Sequence, residues 1–260
     1  MKKRLATVIL FTCLACLSAG GGTFALDTAG ALRERANKFW DARVRQDWGV
    51  LYDFLSPSER DKGTRDQFVS QGKEKAPFRY LSYHLGEVET AGDLGWVLTE
   101  FEARAVKFDK LPSRRVSQWQ VWQKNNAEWY PLTEGRSELA PSLPPRLRPA
   151  AEEARLLKRA DEFWEAREKQ QWGVIYQYCD PGFRQRVPAE EFLQMKALNL
   201  YLFHALEWAE VAGDRGRVRI TYRYRSSDPG LAKLDPEEVS VVEDWVKMAD
   251  EWYRNVPEPQ

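Results

Sequence analysis

The chain has 260 residues, of which 43% are hydrophobic and 13% aromatic, with 11 tryptophans among them. Such a length can bury one large hydrophobic core or two of ordinary size. Lys and Arg together number 39, as do Asp and Glu, so the formal net charge is zero. This balance argues against a nucleic-acid partner and against a membrane-coating surface, because both need an excess of basic residues.

The first 25 residues have the layout of a secretory signal peptide. Three basic residues at positions 2–4 precede 14 uncharged, mostly apolar residues at 5–18, and a run of small residues follows. The apolar run is shorter than the roughly 20 residues that a membrane-spanning helix needs. A cleavage motif, Thr23-x-Ala25, stands before Leu26. We therefore expect export to a bacterial periplasm or cell envelope, with a mature chain that has lost the three basic residues.

Lipidation at Cys16 is the alternative processing route. Leu14 and Ala15 precede this cysteine, which resembles the bacterial lipoprotein pattern of an apolar residue, two small residues and a cysteine. A lipid anchor there would be the chain's expected link to a membrane. Cys13 and Cys16 both lie in the leader, so Cys179 would be the remaining cysteine and no intradomain disulfide is expected. The chain contains a sequence repeat, described below, in which Cys179 aligns with the apolar Leu55. This alignment predicts that Cys179 is a small buried hydrophobic side chain rather than a catalytic thiol.

Helices are predicted for the first part of the chain after the leader. Apolar residues recur at helical spacing across residues 30–46, which predicts an amphipathic helix. Asp47 is placed to cap a second, short helix that begins at Trp48, and Pro57 is expected to end it. The segment Thr64-Arg-Asp-Gln67 has the spacing of a capping box and predicts the start of a third helix.

After Pro77 the hydrophobic period changes from 3.6 to 2, which is typical of half-buried strands. Ala91-Gly-Asp93 is a turn signal between the first two of these strands. The predicted strands cover residues 80–88, 97–105, 116–123 and 128–132. Helices followed by a meander of about four long strands indicate an α+β fold in which the helices cover one face of the sheet.

The same pattern occurs a second time. Aligning residues 32–68 with 156–192 without a gap gives 15 identities in 37 positions, and the strand turn and a late Glu-Trp-Tyr also return. Four prolines make residues 134–150 a semi-rigid linker between the copies. We therefore predict four segments: a signal peptide at 1–25, a first domain at 28–133, the linker at 134–150 and a second domain at 151–257.

The repeated residues resemble a known family. The first helix carries Phe39-Trp-x-Ala42, Asp47-Trp48-x-x-Leu51-Tyr52 follows, and Trp129-Tyr130 stands on the last strand. These motifs are similar to those of the nuclear-transport-factor-2-like (NTF2-like) superfamily, the cone-shaped α+β fold of the SnoaL-like polyketide cyclases. The resemblance implies two tandem cones, each with about three helices packed on a curved antiparallel sheet and a pocket at the open end. Members dimerise sheet to sheet, so the tandem could form an intrachain pseudo-dimer.

Aromatic residues that recur in both copies are the candidate walls of such a pocket. Tyr52 and Tyr176 are equivalent, as are Trp122 and Trp245. Core packing explains these positions without a ligand, whereas an open cone would use them to bind a small apolar molecule.

Titratable residues on the strands are the other candidates. When the two copies are aligned, His84 and His204 fall at adjacent strand positions, so they are expected to face opposite sides of the sheet. His204 is a candidate pocket residue. Glu243 and Asp244 adjoin Trp245, so one of them must face inward, and Asp244 is the candidate of the two for a ligand-binding residue, together with Trp245. An inward carboxylate in an apolar cone would have a raised pKa, as a general base needs. The spacing of histidines and cysteines offers no metal site, and no cofactor is expected.

The family contains isomerases, dehydratases and cyclases, together with non-catalytic binding and docking modules, so its fold motifs do not define an activity. Our leading hypothesis is an exported, non-catalytic protein that binds a small apolar ligand or an envelope protein. The alternative is a pocket enzyme, an isomerase, dehydratase or cyclase-like lyase, acting in one domain. A third hypothesis is a docking module whose pockets are filled by side chains.

Overall fold

A computed structural model describes residues 21–108, 110–132, 139–194, 199–228, 230–231 and 234–256, with side chains from residue 28 onward. Most of the predicted leader, including Cys16, lies outside these residues, and so does the first part of the predicted linker. Among the described helices, none is long and apolar enough to cross a membrane. Export and lipidation therefore stay predictions.

The predicted α+β fold is confirmed, with two curled four-stranded antiparallel sheets that are each packed with helices. The helices of the first half are α1 (Gly21–Arg45), α2 (Trp48–Tyr52), α3 (Pro57–Arg60) and α4 (Arg65–Lys75). Its strands are β1 (Phe78–Ala91), β2 (Leu94–Ala105), β3 (Arg114–Asn125) and β4 (Glu128–Pro131). The strands follow one another in chain order across the sheet.

The second half repeats this order. Its helices are α5 (Ala150–Glu168), α6 (Trp172–Tyr178), α7 (Pro181–Arg186) and α8 (Ala189–Gln194). Its strands are β5 (Asn199–Ala212), β6 (Arg215–Ser226), β7 (Glu237–Met248) and β8 (Glu251–Arg254). Register shifts interrupt the pairing of β1 with β2 and of β5 with β6 at matching places. Such irregularities bend a strand and increase its twist, which gives both sheets their curl.

Two local signals behave differently from each other. The capping box is confirmed, because the Thr64 hydroxyl accepts from Gln67 N while the Gln67 side chain accepts from Thr64 N. Pro57 was predicted to end a helix, and this was wrong, since Pro57 is the first residue of α3. A proline loses little at the first helical position, because its missing N–H would have had no partner within the helix. The helical layer of the first half therefore holds a fourth, one-turn helix.

Each half has a core of its own between the long helix and the sheet. Trp40 and Trp122 are fully buried in the first half, and Trp164 and Trp245 take the same places in the second. Gly95 and its equivalent Gly216 lie in the second strand of each sheet. A Cβ on Gly95 would collide with the Leu32 side chain, and one on Gly216 would collide with Leu156. The glycines allow the long helix to lie directly on the strand.

Candidate functional site

The described part of the linker lies on the outer face of the first sheet. Trp96 is 1% exposed although it stands on the outward parity of β2, and its indole Nε1 donates to the Pro141 carbonyl at 2.9 Å. Ala140 is fully buried against Trp96 and Val121, with Leu132 packed beside them. The outer face of the first sheet therefore binds an extended segment of the chain itself.

The same segment then reaches the second half. The carboxylate Oε1 of Glu210 accepts hydrogen bonds from Ser142 N at 2.7 Å, from the Ser142 hydroxyl at 2.6 Å and from Leu143 N at 3.3 Å. Its other oxygen pairs with Arg217. Burial alone would raise the pKa of Glu210, but the Ser142 donors and the Arg217 cation outweigh it and hold the pKa below its usual value. Glu210 is therefore an ionised hub beneath the linker.

Further contacts connect the linker to both sheets. Arg146 pairs with Glu87 and Glu89 of β1 in the first half. Arg148 donates to the Ala209 carbonyl of β5 at 3.1 Å, in the second half. We call residues 139–148 the linker clamp, because they contact β1, β2 and β3 on one side and β5 on the other. The predicted sheet-to-sheet pseudo-dimer stays a prediction, whereas the clamp is a described connection between the halves.

The matching face of the second sheet carries a cleft instead of a segment of chain. Register places Arg217 and Asp244 where the first half has Trp96 and Val121. Asn255 N donates to the Asp244 carbonyl at 2.9 Å, just as Leu132 N donates to the Val121 carbonyl at 2.9 Å. The cleft has a volume of about 470 Å³. Its polar lining residues are Asp180, Glu210, Arg215, Arg217, Asp244 and Asn255. Equivalent positions are thus apolar and covered in one half, and charged and open in the other.

The choice of Asp244 as the inward carboxylate was wrong. Asp244 is exposed on the outer face, and Glu243 points inward with 5% of its surface exposed. Glu243 accepts from the indole Nε1 of Trp164 at 3.0 Å and from Arg254 Nε at 3.0 Å. The alternation of side chains along a strand allows one of two neighbours to face inward, and packing against Trp164 selects Glu243. This carboxylate is paired on both oxygens.

Gln120 holds the same place in the first half, where its side-chain oxygen accepts from Trp40 Nε1 at 3.0 Å. Other interior positions also differ in polarity between the two cones. Interior positions that gain a titratable group in the second cone pair as follows: Gln120 with Glu243, Pro131 with Arg254, Phe101 with Tyr222, Ala103 with Tyr224, and Leu55 with Cys179. The second cone is therefore the more polar of the two.

Arg167 is the main cation among these aromatic rings. Its guanidinium donates to the Tyr201 hydroxyl at 2.7 Å and lies 4.6 Å from the Trp164 ring centre. Burial lowers the pKa of Arg167, although a guanidinium remains protonated in proteins. Burial also raises the pKa of the Tyr222 hydroxyl. Neither group is poised to exchange a proton near neutral pH.

The two histidines face opposite sides, as predicted. His204 stacks on the Trp164 ring, and its ring nitrogens lie 2.7 Å from Glu168 and 3.0 Å from Asp161. Both carboxylates come from α5, far away along the chain, so the sequence around His204 does not indicate them. His84 is exposed on the outer side, where it lines a cleft of about 330 Å³. His204 therefore connects β5 to α5.

In each half the two candidate aromatic residues have different surroundings. The Tyr52 hydroxyl donates to the Gly63 carbonyl at 3.4 Å, and Tyr176 donates to the Val187 carbonyl at 2.8 Å. Both tyrosines therefore tie the short helices together. Trp122 and Trp245 lie in the cores, and their indole nitrogens are buried without a hydrogen-bond partner among the described residues. Whether any of the four contacts a ligand stays a prediction.

Cys179 occupies the buried position that the sequence predicts for it. Its side chain is 3% exposed, and burial raises the pKa of the thiol to about 11. A thiol that stays protonated at neutral pH is a poor nucleophile. Among the described residues, no group of three or more His, Cys, Asp or Glu side chains could hold a metal ion.

The fold defines a protein with two cone-like α+β halves, and comparison adds two distant likenesses. The chain is similar to an Ntf2 like protein involved in plasmid conjugation, at 10% identity and a TM-score of 0.29 over 82% of this chain and 93% of that one. It is also similar to a SEC-C motif containing protein from Rhodopseudomonas palustris, at 17% identity and a TM-score of 0.30 over 36% of this chain and 70% of that one. No family model and no curated protein matches. Likenesses at these scores carry no argument about activity.

Proposed function

We propose that this chain is a non-catalytic docking protein of the bacterial cell envelope, and that the cleft on its second sheet binds an extended segment of a partner protein. One observation carries the proposal: the matching face of the first sheet already holds such a segment, residues 139–143 of the linker clamp. The second sheet offers the same strand positions with charged side chains and an open cleft of about 470 Å³.

The chemistry of the lining indicates what kind of segment would bind. Arg215 and Asp244 have no ion-pair partner among the described residues, so both charges are available. A segment carrying an acidic and a basic side chain would pair with them, and charge pairs of this kind give specificity more than affinity. The ligand of this site is therefore polar, unlike the apolar molecule expected for a cone pocket.

A photocrosslinking side chain placed at Val246 tests the cleft, and one at Gln123, the equivalent position on the first sheet, is the matched control. We expect a discrete protein adduct at position 246 that disappears when Arg215→Glu and Asp244→Lys are combined. Equal adducts at both positions, or an adduct that survives the charge reversal, would contradict the proposal. Sequencing the N-terminus of the envelope form separates cleavage before Leu26 from lipidation at Cys16, and a chain retained in the cytoplasm would contradict export.

Ligand binding inside the second cone is the second candidate, because Glu243 and Arg254 replace the uncharged Gln120 and Pro131 of the first cone. A pocket enzyme would also have to work there. Native mass spectrometry of the gently purified chain tests this candidate. A small-molecule adduct lost on denaturation, and lost in an Arg167→Met variant, supports it; a mass equal to the protein alone supports docking at the outer cleft.

A further inference from the structure

The two halves present the same loop with opposite charge. In the first half the loop between β2 and β3 carries Phe108 and Leu111, and Leu111 N donates to the Phe108 carbonyl at 2.9 Å. In the second half Leu231 and Leu234 stand at the equivalent positions, and Leu234 N donates to the Leu231 carbonyl at 3.0 Å. A shared backbone turn therefore displays two apolar side chains at each hairpin tip.

These apolar side chains are exposed to an unusual degree. Phe108 is 63% exposed and Leu111 is 54% exposed, although each would lower the free energy of the protein by being buried. Two neighbours enlarge this apolar surface in the first half: Val106 is 53% exposed and Phe78, at the start of β1, is 49% exposed. Val106 N donates to the Pro77 carbonyl at 2.9 Å, which keeps the start of β1 beside the loop.

Charge separates the two tips. Residues 106–115 contain four basic residues and one acidic residue, a net charge of +3, whereas residues 227–238 contain one basic and four acidic residues, a net charge of −3. Lys107, Lys110, Arg114 and Arg115 are exposed, and none of them pairs with a carboxylate among the described residues. The zero net charge of the whole chain therefore conceals a basic apolar tip and an acidic one.

We propose that the first hairpin tip, formed by Phe78, Val106, Phe108, Leu111 and the four exposed basic residues, docks on a membrane surface of anionic phospholipid. Exposed apolar side chains within a ring of Lys and Arg fit a lipid surface, because the apolar groups enter the headgroup boundary while the cations meet lipid phosphates. A protein partner is disfavoured by size, since a few side chains fall far short of the roughly 800 Å² per partner that a stable interface buries.

The second tip lacks these properties and is a control within the same molecule. Asn199 stands where Phe78 stands in the first half, and the acidic residues around Leu231 and Leu234 would be repelled by anionic lipid. The proposal does not depend on the proposed function of the cleft, which is lined by residues of the second half. It adds a membrane contact that is independent of any lipid anchor at Cys16.

Sedimentation with vesicles tests the proposal, using phosphatidylcholine alone and an equal mixture of phosphatidylcholine and phosphatidylglycerol. The three basic residues of the leader are the same in every variant, so comparing variants on the same vesicles removes their contribution. We expect the purified chain to prefer the anionic vesicles, and this preference to fall as salt is added. Combining Phe108→Ser with Leu111→Ser should lower the partition coefficient by roughly tenfold or more. Combining Lys107→Glu with Lys110→Glu should lower the preference for phosphatidylglycerol relative to the unaltered chain.

The matched control combines Leu231→Ser with Leu234→Ser and should bind as the unaltered chain does. Circular dichroism melting curves verify that each variant is folded. We expect all of them to fold, because the altered side chains are exposed. Equal binding to both vesicles would overturn the proposal, and so would equal losses from the two serine pairs. The proposal would also be overturned if the chain self-associated in the absence of vesicles, as shown by a molecular mass that rises with concentration, and only Phe108→Ser with Leu111→Ser abolished this. The tip would then form contacts between copies of the chain.

Discussion

Replacing Glu210 should weaken the whole two-domain assembly more than replacing its counterpart in the first half. The side chain of Glu210 is 8% exposed and accepts from two backbone N–H groups, one hydroxyl and Arg217. Glu210→Ala would leave the N–H groups of Ser142 and Leu143 and the Arg217 cation without their partner. Removing one member of a buried pair costs 3–5 kcal/mol, and Arg217 is partly exposed, so we expect about 3 kcal/mol.

Glu89 is the matched control. It occupies the equivalent position on β1, is 24% exposed and pairs with Arg146, which is 48% exposed. Exposed pairs contribute up to about 1 kcal/mol, so Glu89→Ala should have a small effect. Thermal unfolding followed by circular dichroism measures both variants, and about 3 kcal/mol corresponds to a fall of roughly 6–12 °C in the midpoint. A Glu210→Ala midpoint equal to that of Glu89→Ala would refute the role of Glu210 as the hub of the linker clamp.

The pH dependence of Glu210 gives a second test with a defined sign. Since the folded state lowers its pKa below the ordinary value of 4.5, the carboxylate stabilises the fold above that value. This stabilisation is lost as the pH falls through the folded-state pKa. Glu210→Gln cannot titrate, so the difference in unfolding free energy between the unaltered chain and this variant should shrink in acid. A constant difference from neutral pH down to acid would contradict the prediction.

Three further predictions concern the second half. Glu243→Ala should lower the free energy of unfolding by about 3 kcal/mol, because it leaves Trp164 Nε1 and Arg254 unpaired. In urea unfolding, combining Glu243→Gln with Arg254→Met should cost less than the sum of the two single changes. Gly216→Ala should destabilise by about 1–3 kcal/mol through collision with Leu156, whereas Gly173→Ala, with open space around it, should not; equal midpoints would contradict this. The Cys179 thiol, with its pKa raised to about 11, should react with a thiol reagent at pH 8 only after unfolding, and rapid labelling of the folded chain would oppose this prediction.

Periodicity was sufficient to predict the layers of the fold. The change from a helical period to alternation after Pro77, and its return in the second copy, predicted two α+β units that the structure confirms. Boundaries were less accurate, because strand pairing extends β1 to Phe78 and Ala91 beyond the residues that alternate cleanly. Pro57 was misinterpreted because the same residue serves at the end of one helix and at the first turn of the next.

The candidate site could be predicted only in part. Alternation required one of Glu243 and Asp244 to face inward. Which of them does so depends on the Trp164 indole across the core, and the sequence of β7 alone does not contain that information. The sequence did contain one signal for the linker contact. Trp96 is a large apolar side chain on the outward face of a strand, where another segment is needed to bury it. Four prolines and the apolar residues near Ala140 marked the segment that covers it. The pairing of the two required knowledge of the chain path through the linker.

The duplication explains why whole-chain composition hides the functional features. Once one copy covers its outer face with the linker clamp, the equivalent face of the other copy no longer has to be apolar for stability. Trp96 and Val121 bury the linker, whereas Arg217 and Asp244 at the same register leave a charged cleft. The hairpin tips diverge likewise, to +3 and −3, while the formal charge of the chain stays zero. Comparing equivalent positions between the copies therefore identifies candidate sites, because the shared residues build the two similar cores and the differing ones mark where the outer faces diverge.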